Sequence, residues 1–534
     1  MVKGARGWRF TRTIPARRRS RKLLPCLGIA MLLAAWPTGF AAAQAPDSAT
    51  FYLLLHADTI VVERQARTPD KLSGEFVDRM RGGHVTFDAT LAPAGLLTQL
   101  AIQSQPRGGS ATTTVIAIHR DSVSLTTGGR TTSLAAPQGG VPYINPSPSF
   151  FEQLAIRGRA VGTSPVTIPL IAPGAPPTSA VVTWSGPDST QLSFAGVIIK
   201  LATTASGKLL GGRIPSQGIE IVRGSAIGPL VVQVPDYSAP AGAPYVAEDV
   251  SFTTPAGIKL AGTLTLPKDA RGPVPAVVTL TGSGQQDRDE ALPGITGYKL
   301  FRQIADTLGR RGIAVLRIDD RGVGGSGGNP ATETSADYAS DIEATVDYLR
   351  GRHEIDSTKI GLIGHSEGGM VAPIVADKDH AIRGMVLLAG PSRTGKRILE
   401  YQVGRQIDRA PVSDSGRAAM RQRLPALVDS MSNNPWYRFF MTYDPAATAR
   451  RVRTPVLILQ GGHDIQVTPD QAGELAAAFR AAGNKNVTVR MFPTLNHLFL
   501  LDEKGDVDYA ALPSKQIPPD VLGAIADWFV AKLR

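Results

Sequence analysis

KIGLIGHSEGGMVAPIVA, residues 359–376, sets a buried-strand pattern directly against a helical one, with no loop between. Lys359–Gly364 reads as a strand, and small and apolar residues from Gly368 onward continue as a helix. Between them stands Gly-x-Ser-x-Gly, with Ser366 at the centre of the turn. A strand-to-helix turn this sharp lifts the serine oxygen above the sheet edge, and Gly364 and Gly368 leave out the Cβ atoms that would crowd it. An ordinary βα turn around a buried serine would share these letters. The partners expected of a nucleophile therefore decide the reading.

A serine hydroxyl is weakly nucleophilic and needs a base, which in turn needs an acid to orient it. This turn predicts the chain order Ser, acid, His. The strand 455–460 runs into Gly461-Gly462-His463-Asp464, and the strand 487–492 into Pro493-Thr494-Leu495-Asn496-His497. Asp464 and His497 thus follow successive strands, on the edge where Ser366 lies. His463 precedes the acid, and His365 is the turn's variable position, expected to pack beside it. His353 and His380 fall in polar segments of the other edge, and His56, His84 and His119 in a β-rich region. Asp470, in Thr468-Pro469-Asp470-Gln471, reads as a helix-capping residue. An acyl-transfer site also needs N–H donors for the developing oxyanion. The residue after the nucleophile, Glu367, offers one. The loop 281–290, with Ser283 or Gly284, offers the second. Arg288 is expected to pair with a nearby acid, and Asp319, Asp320 and Arg321 to brace a loop.

Three glycine-rich matches fail on context. Gly322–Gly327 fits G-x-G-x-x-G, but Asn329-Pro330 follows where a dinucleotide site needs a helix to open. Gly390–Lys396 lacks the Ser or Thr after its lysine that a phosphate loop requires. Ser326 has a second G-x-S-x-G, but well beyond its strand and before no helix, so it reads as a loop serine.

Outward from the turn, two strands (248–252 and 259–266) precede alternating strands and helices to the end of the chain. This gives a mostly parallel sheet with helices on both faces, spanning 247–534. The long connection after Leu388 suggests a cap at 391–450, poor in acids and carrying Trp436, Tyr437, Phe439, Phe440 and Tyr443. Those rings suit either an acyl pocket or the cap's own core. Residues 44–234 read as short alternating strands, an antiparallel curved sheet or partial barrel with one helix near 149–156. The proline-rich 235–246 reads as a linker.

The 534 residues are 43% hydrophobic and 19% charged, which excludes a disordered chain. The net charge of +12 resembles that of a nucleic-acid binder, but nine of the excess positive charges lie in residues 1–43, leaving +3 elsewhere and no basic block. That basic stretch, an apolar run at 23–35 and Ala41-Ala42-Ala43 together read as a secretory signal, implying export to the periplasm or medium and no membrane span after cleavage. The only cysteine, Cys26, lies inside it. The mature chain is then expected to contain no disulfide, thiolate nucleophile or cysteine-bound metal.

TGSGQQDRDE (281–290), RIDDRGVGGSGG (317–328), GLIGHSEGG (361–369), YDPA (443–446), PVLILQGGHDIQV (455–467) and LNHLF (495–499) together resemble the α/β-hydrolases, specifically the bacterial serine aminopeptidase-like and EstD-like esterases. The resemblance covers residues from about 247 onward. It implies Ser366 as nucleophile, Asp464 as acid and His497 as base, with hydrolysis of small-molecule carboxylic esters and no cofactor or metal. Thr281 stands where many relatives carry histidine. A peptidase on the same triad is the alternative, and a binding protein on an inactive hydrolase scaffold a further one. The sequence sets no oligomeric state.

Overall fold

The computed structural model describes residues 46–533, apart from 56–57, 80–82, 106–110, 136–138, 172–177, 195–196, 225–234, 293, 411, 431–433 and 506–507. The signal expected at 1–43 and His56 lie outside the described residues.

The first part of the chain forms one sheet of fifteen strands among the described residues. Its first strand, Asp47–Leu55, pairs antiparallel with its last, Ile219–Gly224, at the middle of the sheet. Two antiparallel arms run outward from this pair and end at Arg130–Ala135 and at Val141–Pro142, the last of which pairs in parallel. Helix Pro148–Val161 buries Phe150, Phe151 and Leu154 in a core shared by Leu72, Leu100 and Ile116 of one arm and Val182, Leu192 and Leu201 of the other. Both arms reach one helix, so the sheet curves around it. The helix outruns the expected 149–156 because Arg159 extends it, donating to the Gly186 and Ser189 carbonyls at 3.0 and 2.8 Å.

The second sheet has eight strands among the described residues. Tyr245–Thr253 and Lys259–Pro267 form an antiparallel hairpin, so the first strand takes up two residues expected in the linker. Lys259–Pro267 then pairs antiparallel with Ala314–Ile318. From there the order is Val274–Leu280, Ile355–His365, Gly384–Leu388, Val456–Gly461 and Val487–Phe492, all parallel. Alternate residues face opposite cores: Ala276, Val278 and Leu280 pack with helices Ser335–Arg350, Glu367–Lys378 and Asp470–Ala481, while Val277 packs with Leu300–Gly309 and Pro519–Leu533. After Val274–Leu280 the chain goes first to one side of that strand and then to the other. The loops beyond Leu280 and His365 therefore meet at a switch point, where crevices form in such sheets.

Between Gly384–Leu388 and Val456–Gly461 lie helices Gly395–Arg409, Asp414–Ser430 and Pro435–Thr442. Ile407, Leu424, Val428 and Met441 give them a small core of their own, and Ile398 and Phe440 anchor them on Met370.

Candidate active site

Ser366 is the single residue between strand Ile355–His365 and helix Glu367–Lys378. It has φ 51° and ψ −115°, a strained conformation for a residue with a side chain. Close packing enforces the turn. A Cβ on Gly364 would stand 2.1 Å from the Gly368 carbonyl oxygen, and one on Gly368 would stand 2.2 Å from the Leu280 oxygen. The Ser366 N–H donates to the Leu388 carbonyl at 2.8 Å, tying the turn to the neighbouring strand.

His497 lines the same cleft as Ser366. Its Nδ1–H donates to Asp464 Oδ2 at 2.8 Å, which leaves Nε2 for the cleft. Asp464 is buried, and every lone-pair direction has a donor: Gln460 Nε2 at 2.9 Å also reaches Oδ2, and the Gln466 and Val467 N–H groups reach Oδ1 at 2.8 and 2.9 Å. This set fixes the carboxylate that faces the imidazole. The histidine loop is shaped by Asn496, whose Oδ1 accepts from Leu498 and Leu500 N–H at 3.0 and 3.1 Å.

His365 does more than pack beside the turn. It is buried, its Nε2 meets the His497 carbonyl oxygen at 2.9 Å, and its Nδ1 bonds to Glu290 Oε1. A carbonyl can only accept, so Nε2 carries hydrogen, and one further proton is shared between Nδ1 and Glu290. Burial would lower the pKa of this imidazole. The Glu290 carboxylate and the His497 carbonyl outweigh burial and hold it above its ordinary value.

The other expected residues separate clearly. Ser283 lines the cleft, while Gly284 is not among its lining residues. The Thr281 N–H meets the Tyr338 hydroxyl at 2.5 Å, so it is already engaged. Ser326 is structural: its Oγ donates to the Asp319 carbonyl at 2.8 Å and accepts from Ala261 N–H at 2.9 Å. Arg288 pairs with Asp319 through two bonds of 3.0 and 2.7 Å, and Asp320 accepts from Thr281 Oγ1 and Gln286 N–H at 2.8 and 2.9 Å. These acids brace the loop 281–288. His463 bonds through Nδ1 to the Asp502 carbonyl at 2.5 Å, and Asp470 pairs with Arg393 rather than capping its helix.

The cleft holds about 230 Å³. Trp436, Tyr437 and Phe440 line it, with Trp436 stacked on Phe440 at 4.9 Å, whereas Phe439 stacks on Tyr443 within the cap. The aromatic cluster thus divides between the two roles open to it. The Glu367 side chain is buried beneath, accepting from Trp436 Nε1 at 2.8 Å and Ser335 Oγ at 2.6 Å and hydrogen-bonding Ser283. Burial pushes its carboxyl up despite those bonds. The bonds of Gln286 to Asp320, of Glu290 to His365 and of Trp436 to Glu367 escaped sequence reasoning. The Asp287–Glu290 charge run was their one visible signal.

Residues 295–504 match the family model described as serine aminopeptidase, S33. Esterase EstD of Thermotoga maritima is 28% identical over 307 residues, 56% of this chain and 70% of that protein. An uncharacterized peptidase, YuxL, of Bacillus subtilis is 24% identical over 259 residues, 47% of this chain and 35% of that protein. Among solved structures, the Pyrococcus furiosus esterase Pf2001 aligns with TM-score 0.42 and 19% identity, over 57% of this chain and 97% of that one. The eight-stranded sheet with helices on both faces is the α/β-hydrolase fold, and residues 295–504 within it are those similar to the serine aminopeptidase, S33, family.

Proposed function

We propose that the protein is an exported serine hydrolase that cleaves small carboxylic esters through an acyl-enzyme. The observation that carries this reading is the cleft shared by Ser366, on its strained turn, and His497, whose Nδ1 is fixed on Asp464. Ser366 Oγ attacks the carbonyl as His497 Nε2 takes its proton. Asp464 stabilises the imidazolium that forms. The N–H groups of Glu367 and Ser283 receive the oxyanion. His497 then protonates the leaving alcohol, and water, activated by the same nitrogen, releases the acid. A cleft of about 230 Å³ suits short acyl chains, since pockets for drug-sized ligands begin near ~300 Å³.

An aminopeptidase would need a free carboxylate for the substrate's ammonium. Glu367 is committed to Ser335, Trp436 and Ser283, and Glu290 to His365, which favours esters. The test is labelling by a fluorophosphonate. Ser366→Ala should abolish both labelling and turnover. Ser326→Ala should keep labelling while losing stability, by about 1–3 kcal/mol for two broken buried bonds. Undiminished labelling of the Ser366 variant would overturn the assignment.

A further inference from the structure

Three loops meet at the candidate nucleophile, and the ring of His365 bonds to two of them from the third. His365 is the last residue of its strand and the covalent neighbour of Ser366. Its Nδ1 bonds Glu290, in the loop that follows Val274–Leu280, and its Nε2–H donates to the His497 carbonyl at 2.9 Å. The rings of His365 and His497 stand 4.9 Å apart, and the Phe499 ring lies edge-on to His365 at 6.4 Å. Each of the three loops also carries one residue in the left-handed region: Glu290 at φ 55°, Ser366 at φ 51° and Phe499 at φ 55°. Such backbone persists only where the surroundings over-determine it. The bonds of His365 reach all three loops, and both of its ring nitrogens are spent on them.

A general base must lie within hydrogen-bond reach of the proton it takes. The bond from His497 Nδ1 to Asp464 sets how the imidazole is turned. It leaves open where the main chain at 497 stands relative to Ser366. The other bonds of that loop do not address the nucleophile. Asn496 N–H donates to the Leu500 carbonyl at 3.1 Å and Asp502 N–H to the Thr494 carbonyl at 2.9 Å, both within the loop. His463 N–H donates to the Leu495 carbonyl at 2.9 Å, which ties the loop to that of Asp464. The bond from His365 ties it to the turn itself, one residue from Ser366. That bond requires hydrogen on Nε2, and a carboxylate at Nδ1 leaves room for no other arrangement, because Nδ1 must then carry the shared proton.

Building on the ester-hydrolase reading, we propose that His365 is a positioning residue for His497: its Nε2–H, bonded to the His497 carbonyl, holds the base at reach of Ser366, and Glu290 keeps His365 able to make that bond. His365 acts through His497 and not on the substrate. A misplacement of about 1 Å at reacting groups can cost on the order of 10²-fold. His497 serves both in forming the acyl-enzyme and in releasing the acid, so both steps depend on this bond.

The test separates the two ring nitrogens. Counted from Cβ, the amide nitrogen of asparagine sits where Nδ1 does and that of glutamine where Nε2 does. His365→Asn therefore keeps a donor for Glu290 and gives up the His497 carbonyl, and His365→Gln does the reverse. Each is assayed in the whole protein on methyl butyrate, with active sites counted by fluorophosphonate labelling run to completion. His365→Asn should lose about 10²-fold in kcat per labelled site with KM little changed, and His365→Gln should stand about tenfold or more above it. A role confined to holding the buried Glu290 predicts the opposite order, since only His365→Asn keeps that bond. Where either variant fails to fold, Glu290→Gln and Glu290→Leu decide. The amide of Glu290→Gln can donate to Nδ1, which leaves hydrogen on Nε2 and keeps kcat, whereas Glu290→Leu frees the ring to take the other tautomer and kcat should fall. The inference is overturned if His365→Asn keeps the wild-type kcat, if His365→Gln is the more impaired of the two, if the loss lies in KM alone, or if Glu290→Leu keeps kcat. With Ser366→Ala inactive, any of these removes the positioning role and leaves the triad. Turnover that survives Ser366→Ala overturns the triad reading and takes the positioning role with it.

Discussion

Ser366 and Ser326 share a motif but differ in what their oxygens meet. Ser326 Oγ spends its hydrogen on the Asp319 carbonyl, whereas Ser366 stands on a strained turn in the cleft that His497 lines. The two histidines around Asp464 separate in the same way. His497 gives Nδ1–H to the carboxylate, and His463 gives its own to the Asp502 carbonyl. His497→Ala should therefore lower kcat by several orders of magnitude and His463→Ala far less. Asp464→Asn should cost on the order of 10⁴-fold, because it would favour the wrong tautomer of His497. Steady-state kinetics on one short ester would check all of these. A His463 variant as impaired as the His497 variant would mean that the other histidine is the base.

At the scale of elements, helix Pro435–Thr442 touches the nucleophile's own helix through one polar bond, from Trp436 Nε1 to Glu367 Oε1. Trp436→Phe keeps an aromatic ring against Phe440 and removes that donor. A net hydrogen bond contributes about 0.5–1.5 kcal/mol, so the cap should loosen. KM for a short ester should rise by about tenfold or more while kcat falls less, since Ser366, His497 and Asp464 are untouched. An unchanged KM would reduce Trp436 to a filler of space. The strands carrying the site were legible in the sequence because runs such as Val456–Gly461 are buried on both faces and end in turn residues. The chain order of Ser366, Asp464 and His497 follows from the order of those strands. Glu290 and Gln286 were illegible because burial of a loop carboxylate or amide depends on partners far away in sequence, such as His365 and Asp320. Asp470 misled for the opposite reason: a capping-box pattern is local, and a distant arginine, Arg393, captures its side chain.

At the scale of the molecule, the two sheets touch beside the site. Leu55 packs on Gly294 so closely that a Cβ there would lie 2.4 Å from its Cδ2, and the Thr296 N–H donates to Asp58 at 3.3 Å. The linker adds Tyr237, whose hydroxyl bonds Asp287 at 3.0 Å and whose ring lies 4.3 Å from the Arg288 guanidinium. Order in the first sheet thus bears on the loop that carries Gln286 and Glu290. That sheet has a polar seam inside its apolar core. Glu152 accepts from Gln65 Nε2 at 3.0 Å, Arg67 Nε at 3.2 Å and Leu209 N–H at 2.8 Å, while Glu63 accepts from Ser149 N–H at 2.7 Å and from its hydroxyl. Glu63 faces no cation among those bonds, and burial pushes its carboxyl up from 4.5 to about 7. The folded state therefore holds a proton that the unfolded chain releases at lower pH. Its contribution to stability is complete below pH 4.5 and is lost as pH rises through about 7. The full loss across that interval is at most about 3 kcal/mol. Glu63→Gln keeps an acceptor for Ser149 and carries no charge at any pH. The variant should match the wild type in urea midpoint near pH 5 and exceed it near pH 8, with the wild-type decline between them absent. A wild-type midpoint that holds steady or rises across that interval, with the variant following it in parallel, would show that Glu63 is ionised in the folded protein and that the bonds from Ser147 and Ser149 suffice to hold it.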